Sequence, residues 1–94
     1  GTGWLVAAVD GLDANDLAER AREAAGERAE VVALVDAAGR YVAVASESTV
    51  DAGEVVDDVT ERFGGGGGGS PAVAQGGGLD ADADAVAAFL CDER

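Results

Sequence analysis

The chain has no His, no Lys, no Ile and no Met, and it has a single Cys and a single Pro. Without imidazole there is no Ser-His or Cys-His nucleophile and no histidine-bearing metal site. One thiol, Cys91, excludes both a thiolate zinc cluster and an internal disulfide. On the last helix it reads as a small core hydrophobe. No apolar run approaches the roughly 20 residues that span a bilayer, and no secretory leader is visible. These absences point to a cytoplasmic chain with no membrane partner and no catalytic residue of its own. The missing initiator Met, with a strand-like run starting almost at once, is what a piece cut from a longer protein would show.

Aromatic residues are also scarce: one Trp, one Tyr and two Phe. The hydrophobic share of 48% consists of 21 Ala, 13 Val and 6 Leu beside those four aromatics and the Cys. The core is therefore thin and built on Val. Ninety-four residues make one globular domain, 1–94, which hides roughly 60–65% of its unfolded surface on folding. That leaves no room for an enclosed reaction chamber.

Charge is heavily one-sided. Nineteen acids face six Arg, a net charge of −13. In dilute buffer so much like charge strains a compact state. One reading is an acidic surface for basic ligands. The other is adaptation to a salt-rich cytosol, where the screening length shortens to about 3 Å at 1 M. The acids are scattered over every helix and turn and Lys is missing altogether, which favours the second, halophile-like reading. Folding is then expected to need salt.

Trp4–Val9 is an apolar run of strand length. Asp13 then caps a helix, Asp16 adds charge to its first turn, and Leu12 can staple to Leu17. Leu17, Ala18, Ala21 and Ala25 form its inward stripe, and Gly26 can supply a left-handed stop. Val31–Val35 and Tyr41–Ala45 are two Val-rich runs joined by the turn residues 36–40, so they are expected to pair antiparallel. Val31–Val35 does not alternate, which suggests a central strand covered on both faces. Asp51 and Glu54 open the clearest helix, with Val50 and Val55 as its staple. Val55, Val56, Val59 and Phe63 form its buried face. Six glycines end it. Ala72–Gln75 can make a short strand, Gly76–Gly78 punctuates, and Asp80 or Asp82 caps a last helix that buries Val86, Phe89 and Leu90. The expected fold is a small α/β sandwich with a mixed β-sheet, in the order β-α-β-β-α-(Gly loop)-β-α, the Gly-rich loop spanning 64–78.

Little else suggests chemistry. Asp80, Asp82 and Asp84 alternate, but acids at a helix start are favourable in themselves, so they read as helix opening more readily than as a calcium or magnesium site. Asp57 and Asp58 read as a solvated helix face. Gly64, Gly66 and Gly69 satisfy G-x-G-x-x-G, as any poly-Gly does. They follow a helix instead of a strand, and the Lys of a P-loop is replaced by Ser70, so neither NAD nor ATP binding is expected. Ordering six glycines in a row is costly in conformational entropy. Two readings remain open for residues 64–78. In one, the loop presents amides to phosphate or ribose. In the other, the two Gly clusters pack against each other as a backbone core.

The run Gly64–Gly69, Ser70, Pro71, Ala72, Val73, Ala74, Gln75, Gly76, Gly77, Gly78 closely resembles the C-terminal motif of alanyl-tRNA synthetases, within the wider DHH-associated family. The Leu-Asp-Ala helix start near Leu12 and the Val-Asp-Ala-Gly start at Val50 fit the same domain, so the resemblance covers nearly the whole chain. Related phosphoesterases carry a His and an Ala-Ala-Gly sequence after the Gly run. Both are missing here, which favours the synthetase branch.

The resemblance implies a parent that activates alanine with ATP and Mg2+, charges tRNA(Ala), and edits mischarged tRNA in a domain that holds Zn2+. This domain itself needs no cofactor. Its implied partners are tRNA(Ala) and the rest of the parent synthetase, with a homodimer possible through helices upstream. Alternatives are an interaction module of the synthetase or of a stand-alone editing protein, and the substrate-binding domain of a phosphoesterase. Expected nucleic-acid contacts are Arg62, Arg40, Gly64, Gly65, Gly66, Gly67, Gly68, Gly69, Ser70, Gln75, Gly76 and Gly77. Arginines suit phosphate or stacking contacts, and glycine amides bind without charge. Trp4 and Tyr41 read as core residues.

Overall fold

The computed structural model describes residues 3–11, 13–80 and 82–93, the last two without their side chains. In chain order the elements are β1 (Trp4–Val9), α1 (Ala14–Ala24), β2 (Val31–Asp36), β3 (Tyr41–Ser46), α2 (Ala52–Phe63), β4 (Gly66–Gly69), β5 (Val73–Gly77) and α3 (Ala83–Glu93). The five strands form one mixed sheet in the order β1-β2-β3-β5-β4. Only β1 and β2 run parallel. The β2–β3, β3–β5 and β5–β4 pairs are antiparallel.

Period-two geometry divides the Val-rich strands between two cores. Val31, Ala33, Val35, Val42 and Val44 face α2 and α3 and meet Val55, Val56, Val59, Val86 and Leu90. Val32, Leu34, Ala43 and Ala45 face α1 and meet Leu17, Ala21 and Ala25. All six residues of β2 are buried, so the unbroken apolar run is a central strand with helices on both faces, as its lack of alternation implied. Leu17 is the one large side chain α1 sends into its core, completely buried. Truncating such a residue to Ala costs about 2–5 kcal/mol.

The helix signals act where the sequence puts them. Asp13 accepts from the Asp16 N–H at 2.9 Å, Asp51 from the Glu54 N–H at 3.2 Å, and Asp82 from the Ala85 N–H at 2.8 Å. Asp82, not Asp80, thus caps α3. Gly26 takes φ +86° just beyond α1, and Gly64 takes φ +87° as the C-cap of α2. Both conformations are open chiefly to glycine. The Leu12–Leu17 staple lies outside the described residues.

Two expectations need correction. The glycine run is not simply a loop: Gly66–Gly69 is a strand at the sheet edge, and β5 continues through Gly76 and Gly77 instead of stopping at Gln75. Cys91 is exposed, not a core residue. The inward stripe of α3 is Ala83, Val86 and Leu90, and the residue after Leu90 is turned about 100° away from it.

Candidate functional site

The glycine-rich segment is one continuous backbone surface along the edge of the sheet. β4 pairs with β5 in the register Gly66↔Gly77, Gly67↔Gly76, Gly68↔Gln75 and Gly69↔Ala74. The Ser70 N–H donates to the Val73 carbonyl at 2.9 Å. This fixes the parity of the antiparallel ladder. Gly66 and Gly68 direct their N–H and C=O groups at β5, whereas Gly67 and Gly69 direct theirs outward, past the edge.

The close approach is unforgiving. A methyl group on Gly67 would stand 2.5 Å from the Gly76 Cα, and one on Gly69 would stand 2.6 Å from the Ala74 Cα. At Gly65, with φ +84°, it would lie 2.8 Å from the Gly78 carbonyl carbon. Gly66 and Gly68, in contrast, have open space on the side chain's side. On the face of α2, a side chain at Gly76 would meet Val56 Cγ1 at 3.1 Å and Thr60 Cγ2 at 3.3 Å. The two Gly clusters do pack against each other as a backbone core, as one of the two readings expects.

The expected contact residues fall into separate places. Arg40 precedes β3 and Arg62 lies in the last turn of α2, and both are exposed. The Leu79 N–H donates to the Arg40 carbonyl at 3.2 Å, and the Asp80 N–H to the Phe63 carbonyl at 2.8 Å. These bonds bring Arg40, Arg62, Gly64, Gly65 and Gly77 to one end of the sheet. The Arg62 guanidinium sits 5.9 Å from the centre of the Phe63 ring, which is itself edge-on to Phe89 at 5.7 Å.

Ser70 lies at the opposite end. Its hydroxyl holds the turn into β5 through Val73, and the Pro71 carbonyl accepts from the Ala52 N–H at 2.9 Å. Gly76 is buried under α2. Trp4 and Tyr41 are half-buried against the two cores.

Gln75 faces α1, where its amide donates to Asn15 Oδ1 at 2.8 Å. Beside this bond lies an open cleft of about 310 Å³, lined by Asn15, Glu19, Arg22, Gly68, Gly69 and Gln75 among others. Nothing in the sequence marked Asn15, Glu19 or Arg22, because only the packing of α1 across β5 brings them to the glycine strand.

On the other flank, Val56 and Thr60 face Gly76. Going round α2 toward the β4 edge, the next positions are Asp57, Glu61 and Glu54, all exposed. The acidic side of α2 therefore begins at Asp57, next to Thr60, and the exposed cations Arg40 and Arg62 stand at one end of the sheet. Among the described residues no group of three or more His, Cys, Asp or Glu is placed to hold a metal ion, and no helix is long and apolar enough to cross a membrane.

Comparison with known proteins finds relatives of this fold. The family described as the DHHA1 domain matches residues 1–92. The fold is similar to the crystal structure of the C-Ala domain from Aquifex aeolicus alanyl-tRNA synthetase. The TM-score is 0.75 at 25% sequence identity, over 99% of this chain and 93% of that one. No curated protein matches the chain.

Proposed function

The chain belongs to the DHHA1 domain family, and from that premise we propose that it is the C-terminal accessory domain of an alanyl-tRNA synthetase, contacting tRNA(Ala) while the parent performs aminoacylation and editing in the cytoplasm. The observation that supports this most directly is the likeness to the C-Ala domain, which runs end to end in both chains. The ATP, Mg2+ and Zn2+ chemistry belongs to other parts of that parent.

Within the domain, the end of the sheet that carries Arg40, Arg62, Gly64 and Gly65 is the part suited to RNA. Both arginines are exposed, and guanidinium groups bind phosphate bidentately or stack on bases. Elsewhere the net charge of −13 works against phosphate. Counterion release weakens steeply as salt rises, so in concentrated salt recognition depends on shape, 2′-OH groups and backbone amides. Gly64 and Gly65, both exposed, lie beside the arginines at this end.

The test is the affinity of a tRNA(Ala) transcript for the intact parent in molar KCl, with Arg62→Glu and Arg40→Glu compared singly and together. Several-fold weaker binding for each is expected. Unchanged binding by the double variant would remove this end of the sheet from the contact.

A further inference from the structure

We propose that the open edge of β4 accepts an extended, basic polypeptide segment as a sixth strand of the sheet. The inference goes beyond tRNA contact, and it concerns the length of β4 away from the arginine end.

Strand edges are normally guarded by charged side chains, Pro, bulges or covering segments, because unpaired backbone groups recruit other strands. β4 carries no side chain at all, and all four of its residues are exposed. The ladder parity set by Ser70 and Val73 leaves the N–H and C=O groups of Gly67 and Gly69 directed away from β5. An incoming strand thus meets evenly spaced donors and acceptors with no steric barrier, which is the requirement for strand addition.

Charge selects the occupant. Round α2 from Val56 and Thr60, the first acid on the β4 side is Asp57, with Glu61 and Glu54 farther round toward solvent, all exposed. Glu19 flanks it across the α1 cleft, where Arg22 is the one cation of the lining. Successive side chains of an added strand point to opposite faces. One set would lie along the α2 acids, which asks for Lys or Arg at alternate positions. The other set would enter the cleft beside Asn15 and Gln75. RNA phosphate laid along the same edge would approach the acidic side of α2 that begins at Asp57. A second copy of this chain would bring another −13 and a second row of acids to the same place.

The probe is a labelled seven-residue peptide alternating Arg with Val, titrated into the folded domain at an ionic strength that keeps it native. Saturable binding is expected, weakened at least tenfold by Asp57→Arg combined with Glu61→Arg. These are surface positions whose change leaves the cores untouched. A peptide N-methylated at alternate backbone positions should lose binding, because it keeps its charge but cannot form the ladder. Amide hydrogen exchange should slow at Gly67 and Gly69 when the plain peptide is bound. Equal binding of the plain and N-methylated peptides would overturn the proposal. So would protection of Gly67 and Gly69 by a tRNA fragment instead of the peptide, or by self-association of the domain alone.

Discussion

The Thr60 Cγ2 methyl stands 3.3 Å from the point where a side chain at Gly76 would begin, and Val56 Cγ1 stands 3.1 Å from it. This fit sets how closely α2 rides on the glycine strands. Gly76→Ala is an overpacking change, expected to cost about 1–3 kcal/mol. Thr60→Ser removes the obstacle at 3.3 Å, on the half-buried side, and should recover part of that loss. A double-mutant cycle on urea midpoints measures the coupling. Strict additivity would mean that α2 does not press on Gly76.

The alternation along β4 gives a second outcome with opposite signs at neighbouring residues. Ala at Gly66 or Gly68 meets nothing within 4 Å. Neither glycine takes a left-handed φ, so those changes should be neutral or stabilise by about 0.4–1 kcal/mol through the unfolded chain. Ala at Gly67 runs into the backbone of β5 and should destabilise the fold or detach β4. Thermal midpoints of the three single variants decide it. Equal effects at all three would show that the strand is not held as described.

The elements with local signals were legible in the sequence. Asp13 and Asp51 declare helix starts through carboxylates that bind specific amides, and Val31–Val35 declares a central strand because neither face of it is polar. The glycine run was the hard case. A strand is normally recognised by its side chains, and Gly66–Gly69 has none. Its strand character comes entirely from β5 beside it and α2 above it. The cleft beside Gln75 was hidden for a related reason: its partner Asn15 lies 60 positions away in the chain. Arg40 and Arg62 were identifiable as residue types, but their convergence at one end depends on the bonds that tie Leu79 to Arg40 and Asp80 to Phe63.

Cys91 is exposed on α3, one position past the buried Leu90. A thiol reagent should therefore modify it in the native protein at a rate close to that in the denatured chain. Cys91→Ser should leave the urea midpoint within about 0.5 kcal/mol of the parent, as surface substitutions do. Slow, denaturant-dependent labelling would restore a core role for this side chain.

The strongest global expectation concerns salt. The net charge is −13, the side chains that carry it lie mostly on the surface, and the cores beneath are built from Val, Ala and a few Leu. Mutual repulsion acts on the compact state more than on the expanded chain, where charges are farther apart. Screening falls from about 30 Å at 0.01 M to about 3 Å at 1 M, so added KCl should raise the unfolding midpoint steeply at first and then level off. Sodium sulfate, which also strengthens apolar burial by exclusion from the surface, should continue to stabilise beyond that plateau. Replacing the row Glu54, Asp57 and Glu61 by Gln, Asn and Gln should reduce the KCl dependence while leaving the sulfate effect in place. A midpoint that does not move between dilute buffer and molar KCl would show that the acidic surface is not a source of strain in this fold.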